Sequence, residues 1–478
     1  MVFSDLFFLF VFLPAFALCY LAAAWIDRQI PMEEAGEHSH LFQNSVLVIF
    51  SLIFYAWGEP VYVFLMLFCV LVNYLAGLGI NSQTGGARRW ALAAGLTGNI
   101  LILSTFKYLS FFAQQLNTLG VEVADPKISL PIGISFYTFQ SISYLIDVYR
   151  REAPVQRHFG NLLLYISMFP QLIAGPIVRY NTVAREINNR HISSSDVAEG
   201  MYRFMIGLGK KVILANQLSE ISDQFLANSL QDLTTTGSWV GIVAFTLQIY
   251  FDFSGYSDMA IGLGRCLGFH FNENFRHPYC CNSITDFWRR WHISLGSFFR
   301  DYVYIPLGGN RCSMLRNILN TLIVWALTGL WHGASWNFVL WGLYWFVFLM
   351  LERLFLKKLL QRVPVLPHLD LVLIVFLGWI LFRFTDIRLG WTVVKGLFGL
   401  NGNAASDFLS FTMLENNLFL LLISAVACTP LPKAVSDRLA AYGVWAGCRK
   451  ALFPIVLLLL STCALVGESY NPFLYFQF

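Results

Sequence analysis

The stretch NILNTLIVWALTGLWHGASWNFVLWGLYWFVFLMLE, residues 317–352, decides what solvent this chain is built for. It holds two apolar runs, 317–332 and 335–352, parted by Gly333 and Ala334. Each approaches the ~20 residues an α-helix needs to cross a hydrocarbon core. A single imidazole, His332, stands at the junction between Trp331 and Trp336.

The rest of the chain agrees with that reading. Of its 478 residues 57% are hydrophobic and 13% charged, and the mean hydropathy is +0.59. A soluble domain carries about 45–50% apolar and about 25% charged residues. Folded in water, this chain would expose large apolar patches, so lipid is its expected surroundings. A net charge of +4 without any nucleic-acid motif gives no reason to expect an RNA or DNA partner.

Further apolar runs lie at 3–25, 61–80, 90–112, 369–385, 414–432 and 451–468. Shorter or interrupted ones lie at 44–57, 131–148, 161–178, 201–216 and 238–256. The fold class expected is therefore an all-α polytopic membrane protein with about 11–13 hydrophobic helices. The middle of the chain is irregular. Residues 161–275 mix Pro170, Pro176, Arg179, Arg203, Lys210, Lys211, Asp252 and Asp258 with apolar neighbours. Broken or re-entrant helices are expected there, shaped by Pro131, Gly133 and Pro176, since irregular backbone survives at membrane depth only within protein or beside water. MVFSD has no basic residue before the 3–25 run, so that run reads as a span rather than a cleaved signal.

Loop charge gives an orientation. The loops 26–43, 81–89, 149–160, 276–316, 353–368 and 433–450 hold 20 of the 32 Lys and Arg residues. The alternate loops 57–60, 113–130, 386–413 and 469–478 hold only Lys127, Arg388 and Lys395. Basic loops stay in the cytoplasm, so both termini are expected outside it. Nine cysteines without CxxC or paired Cys/His spacing point away from a metal site or a disulfide framework. Cys280 and Cys281 read as reduced packing residues.

Nine histidines occur. His38, His40, His158, His191 and His368 sit in polar settings and read as ordinary. His332 ends an apolar run, where polar groups face a bundle interior or a cavity. Gly329 and Gly333 permit close backbone approach, and Trp331 and Trp336 can wall a pocket or anchor at the interface. From spacing alone, a chemical role and a structural hydrogen bond to a neighbouring helix are equally admissible. His292 lies in DFWRRWHISLGSFFRDY, residues 286–302. As one helix, this segment aligns Phe287, Trp291, Leu295, Phe298 and Tyr302 in a stripe opposite Arg289, Arg290, Arg300 and Asp301. That is an amphipathic basic helix suited to the cytoplasmic interface. His292 falls at the stripe's edge, where it either points inward or snorkels. A histidine near each face suggests a reaction path through the membrane; an ion path fits the same pattern. Asp252 and Asp258 read as caps or as ion-pair partners for an arginine such as Arg265, because a buried carboxylate is costly unpaired.

Several strings, in order along nearly the whole chain, resemble the membrane-bound O-acyltransferase superfamily and its alginate O-acetyltransferase branch. They are MVFSD at the start, LPIGISFYTFQSISYLIDVYR (130–150), FPQLIAGPIVRY (169–180) and YFDFSGYSDMAIGLG (250–264). NFRHPYCCNSITDFWRRWHISLGSFFRDYVYIPLGGNR (274–311), GLWHGASWNFVLWG (329–342), GWILFRF (378–384) and YNPFLYFQF (470–478) follow.

The resemblance implies a single membrane domain around a membrane-crossing tunnel. Residues 1–112 would supply N-terminal spans, 113–356 the catalytic core with its helix 286–302, and 357–478 C-terminal spans. It implies an O-acetyltransferase of the bacterial inner membrane, taking acetyl from a cytoplasmic thioester, acetyl-CoA, for an exported polysaccharide such as alginate. No metal is implied. His332 matches the family's invariant histidine and His292 its more variable second position. Arg289, Arg290, Arg300 and Arg311 would attract the donor's phosphates, or only obey the charge rule for cytoplasmic loops. The implied partner is an extracytoplasmic acetyltransferase that modifies the glycan. A D-alanyl exporter for cell-wall polymers and a non-enzymatic transporter are the rival classes; a transporter would show internal repeats, and none is visible.

Overall fold

The computed structural model describes residues 1–30, 40–227, 230–356, 363, 365–439, 441, 443–467 and 473–474. His38 and all of the 470–478 string except Phe473 and Leu474 lie outside them. Among the described residues every regular element is helical, as expected. Seven helices among the described residues are long and apolar enough to cross a bilayer: Phe8–Gln29, Leu41–Gly58, Tyr62–Ser82, Gly85–Thr118, Trp336–Leu356, Leu366–Arg383 and Phe408–Ala427. The other expected segments are helical too, but shorter, more polar or interrupted. The contacts divide the chain into two compact units, residues 1–205 with 256–272, and residues 206–255 with 273–478.

In the first unit, polar groups act as glue between apolar helices. Asn73 and Asn99, both buried, exchange reciprocal amide hydrogen bonds of 3.0 and 2.7 Å between the Tyr62–Ser82 and Gly85–Thr118 helices. The expected irregular middle is present only in part: Thr235–Cys266 runs as one helix through Asp252 and Asp258, and the breaks lie earlier in the chain. Gly133 adopts φ +77°, and a Cβ there would stand 2.9 Å from the Leu172 carbonyl oxygen. Only glycine meets both demands. The 161–178 run breaks into Phe159–Ser167 and Phe169–Leu172 before an extended segment. Pro170 sits in the first turn of the second piece, where its missing N–H costs nothing. Phe169 packs against Phe3, Phe8, Phe12, Phe16 and Phe54 with ring centroids 5.2–6.4 Å apart, which fixes the N-terminal segment.

The expected arginine partner is found for Asp258, but it is not Arg265, and Asp252 pairs with a lysine, Lys211. Asp258 pairs with Arg203 at 2.9 Å, and Arg265 pairs with Asp196 and Glu199 at 3.3 and 2.6 Å. Helix spacing put these carboxylates near cations, but tertiary packing chose which cation.

The second unit contains the opening stretch of sequence as a helical hairpin, Met314–His332 and Trp336–Leu351. Glycines set its closeness. A Cβ on Gly329 would collide with the Phe338 carbonyl, and one on Gly342 with the Trp325 carbonyl.

The single helix expected over 286–302 does not form. Ile284–Arg290 and Ile293–Phe299 are separate helices, followed by a π turn, Arg300–Tyr304. Between them Trp291 is extended and His292 takes the left-handed conformation at φ +46°. That conformation costs a non-glycine residue about 1–2 kcal/mol. It is held by backbone bonds from outside the pair: Arg276 N–H donates to the Arg290 carbonyl and Ile293 N–H to the Asn274 carbonyl, each at 3.0 Å. Glu352 and Ser283 cap the first helix by accepting from Ile284, Thr285 and Asp286 N–H groups. Local amphipathicity favoured one helix, and these longer-range bonds override it.

Candidate active site

The break at Trp291 and His292 lets the short helix pair turn its aromatic side chains onto three longer helices. Trp288 packs against Trp325 and Trp345, and Trp291 against Trp379, with ring centroids 4.8 Å apart in each case. The two Trp288 pairs are edge-to-face and the Trp291 pair is tilted; aromatic pairs at such separations each add about 0.5–1.5 kcal/mol. The resulting cluster draws on Met314–His332, Trp336–Leu351 and Leu366–Arg383.

His332 is the last residue of its helix and is 8% exposed. Its ring lies 4.9 Å from Trp341, 5.0 Å from Trp331 and 5.1 Å from Phe382, centroid to centroid. It lines a cavity of about 30 Å³, room for one or two waters, with Asp252, Phe253, Trp379, Phe382 and Leu474. Asp252 is the carboxylate of this cavity. Its Oδ1 pairs with Lys211 Nζ at 2.7 Å, both side chains buried, and its Oδ2 accepts from Leu474 N–H at 2.7 Å. Leu474 is therefore tied to the wall of the His332 cavity.

His292 is 2% exposed and does not line that cavity. It stands behind two of its neighbours. Phe253, a cavity wall, is 4.7 Å from the His292 ring, and Trp331, next in chain to His332, is 5.7 Å away. His292 Nδ1 meets Asn274 Oδ1 at 3.1 Å. Burial pushes the His292 pKa down to about 3, so the imidazole is neutral. Thus the two histidines singled out in the sequence share one aromatic cluster.

A second, polar cavity of about 790 Å³ lies in the same unit. Arg289, Arg300 and Arg353 line it together with Asp286, Glu352 and Trp325; Arg290 and Arg311 do not. Arg300 pairs with Asp301 and Arg290 with Asp286, at 2.6 and 2.7 Å. Arg289 makes no ion pair among the described residues.

The arrangement offers an imidazole in a nearly dry pocket and a separate cationic vestibule, groups suited to proton transfer and to attracting an anion. Residues 150–390 match the family described as MBOAT, membrane-bound O-acyltransferase family, and both histidines fall inside the match. The chain is 38% identical to the probable alginate O-acetylase AlgI of Azotobacter vinelandii, over the full length of both.

The chain belongs to the membrane-bound O-acyltransferase family.

The peptidoglycan O-acetyltransferase of Helicobacter pylori is 34% identical over 86% of this chain and 83% of its own. The teichoic acid D-alanyltransferase of Bacillus subtilis is 27% identical over 45% of this chain and 56% of its own. As a member of this family the chain is a multi-pass membrane acyltransferase and acts on an acyl donor.

Sequence reasoning missed Asn274, the Lys211–Asp252 pair and Arg353. Asn274 opens one of the resembling strings but has no periodic signal. Lys211 and Asp252 were visible as cations and carboxylates among apolar residues, yet nothing in spacing joined them. Four other histidines hold partners elsewhere: His368 Nδ1 meets the Cys281 carbonyl at 2.8 Å, His40 Nδ1 meets Gln43 Oε1 at 2.8 Å, His270 meets Glu186 at 2.8 Å and His277 Nδ1 meets the Cys428 carbonyl at 3.1 Å.

Proposed function

We propose that this acyltransferase moves an acetyl group from acetyl-CoA, through the membrane, for O-acetylation of an exported polysaccharide such as alginate. The observation that carries the reading is His332, an imidazole at the end of the Met314–His332 helix, lining an aromatic cavity with a buried carboxylate. The full-length likeness to a protein named for O-acetylation of alginate, and the likeness over most of the chain to one named for peptidoglycan, support the acetyl group and a glycan as its destination.

In the reaction His332 takes the proton of the attacking hydroxyl. The hydroxyl oxygen bonds to the thioester carbonyl carbon, the carbon–sulfur bond breaks, and the departing thiolate receives the proton back from His332. A positioned base contributes about 10²–10⁴ in rate. His292 is the second imidazole of the cluster and supports orientation of the donor. Arg289 and Arg300, with Arg353, attract the donor's phosphates in the polar vestibule; Arg290 and Arg311 contribute to the field only at longer range. The surplus of Lys and Arg in the loops 276–316 and 353–368 supports a cytoplasmic vestibule in the inner membrane, with both termini outside. An extracytoplasmic acetyltransferase then receives the acetyl group and sets it on the glycan.

The test is His332→Ala in a strain whose exported glycan is analysed by mass spectrometry. O-acetyl groups disappear while the variant still inserts at normal levels. Full acetylation by the variant refutes the role of His332, and D-alanyl in place of acetyl on the glycan refutes the acyl group.

A further inference from the structure

We propose that Asn274 is a positioning residue that fixes the tautomer of His292, so that the free edge of His292 accepts a hydrogen bond from an amide N–H of the donor's pantetheine arm.

The tautomer follows from one group whose role cannot change. Ser294 backbone N–H can only donate, and it meets Asn274 Oδ1 at 3.2 Å. The Asn274 atom at that point is therefore an acceptor, and turning the amide over would set two donors face to face. Ser294 Oγ also donates to it, at 2.9 Å. His292 Nδ1 meets the same oxygen at 3.1 Å, so Nδ1 must carry the proton. In the neutral ring the lone pair is then on Nε2. Nε2 is buried and has no hydrogen-bond partner among the described residues.

This assignment decides what His292 can hold. A neutral imidazole protonated on Nδ1 cannot donate from Nε2, so it cannot bind the thioester carbonyl oxygen. It can receive an N–H. A pantetheine arm carries amide N–H groups beside the thioester, whether the arm belongs to coenzyme A or to a carrier protein. Asn274 itself is fully buried, and its carbonyl also receives Ile293 N–H, so the same residue sets both the left-handed turn at His292 and the proton on its ring.

The inference rests on the donor reading above and is tested apart from it. The full-length protein in nanodiscs is titrated with S-acetonyl-CoA, a thioether that cannot transfer its acyl group. Asn274→Ala and His292→Ala each weaken binding by about 3- to 10-fold, the worth of one neutral hydrogen bond. The double variant is no weaker than His292→Ala alone, because both changes remove one interaction. Nitrogen-15 NMR of the wild-type protein labelled at histidine shows His292 protonated on Nδ1 and bare on Nε2, independently of how any variant folds. A His292 protonated on Nε2, or Asn274→Ala binding as tightly as wild type while His292→Ala binds weakly, overturns the inference. Failure of the wild-type protein to bind S-acetonyl-CoA overturns the donor reading instead.

Discussion

Lys211 Nζ lies 2.7 Å from Asp252 Oδ1, and that carboxylate lines the same cavity as His332. The pair places one full negative and one full positive charge in the interior beside the proposed base. Removing one partner of a buried pair is strongly destabilising, about 3–5 kcal/mol, because the other charge is left uncompensated. Lys211→Met therefore lowers the yield of folded protein and its unfolding temperature in detergent. Lys211→Met with Asp252→Asn recovers most of that loss. A single variant as stable as wild type would show that the pair is not buried in the native state.

The hairpin that delivers His332 depends on backbone contact at Gly329, where a Cβ would meet the Phe338 carbonyl. Overpacking of this kind costs about 1–3 kcal/mol. Gly329→Ala reduces thermal stability and displaces His332, so acetylation falls with it. Gly447→Ala, where an added Cβ meets nothing within 4 Å, leaves both unchanged. Stability assays on the two variants check this directly.

The polar vestibule distinguishes arginines that look equivalent in sequence. Arg289 and Arg353 line it, whereas Arg290 does not and is engaged by Asp286, a carboxylate of the vestibule wall. Arg289→Ala raises the KM for acetyl-CoA about 10-fold, as expected for loss of a charged hydrogen bond worth about 1.5–3 kcal/mol. Arg290→Ala changes it little. The Arg289 effect shrinks as salt rises, because the contact is exposed and screened. Initial rates at two ionic strengths provide the measurement.

His292 gives stability a pH dependence of definite sign. Its pKa is about 3 folded and about 6.5 when exposed. Between those values the unfolded chain binds a proton that the folded chain does not, so stability falls as pH drops below about 6.5. From pH 7 to pH 5 the loss is about 2 kcal/mol. His292→Gln removes this component, so its unfolding midpoint falls less than wild type over the same range. Equal slopes for both proteins would contradict the buried, neutral imidazole.

Length and polarity made the membrane, the helical class and His332 legible in the sequence, because lipid forces apolar runs of a fixed length and penalises every polar group inside them. The break before Pro170 was legible because a proline is tolerated only in the first turn of a helix, whereas Asp252 and Asp258, read as signs of irregularity, lie inside the unbroken helix Thr235–Cys266. What the tertiary structure alone decided is the pairing. The stripe of Phe287, Trp291, Leu295, Phe298 and Tyr302 was a sound helical pattern, yet Asn274 and Arg276 hold the chain at His292 out of it through bonds made 14 to 20 residues away. Periodicity records only neighbours one turn apart, so such a bond leaves no trace in it. Likewise Asp252 had several cations within reach of a sequence argument, and only packing selected Lys211. The sequence determined the solvent of each segment, since that depends on composition. The partner of each buried polar group depends on which distant segment arrives beside it, and the fold alone determined that.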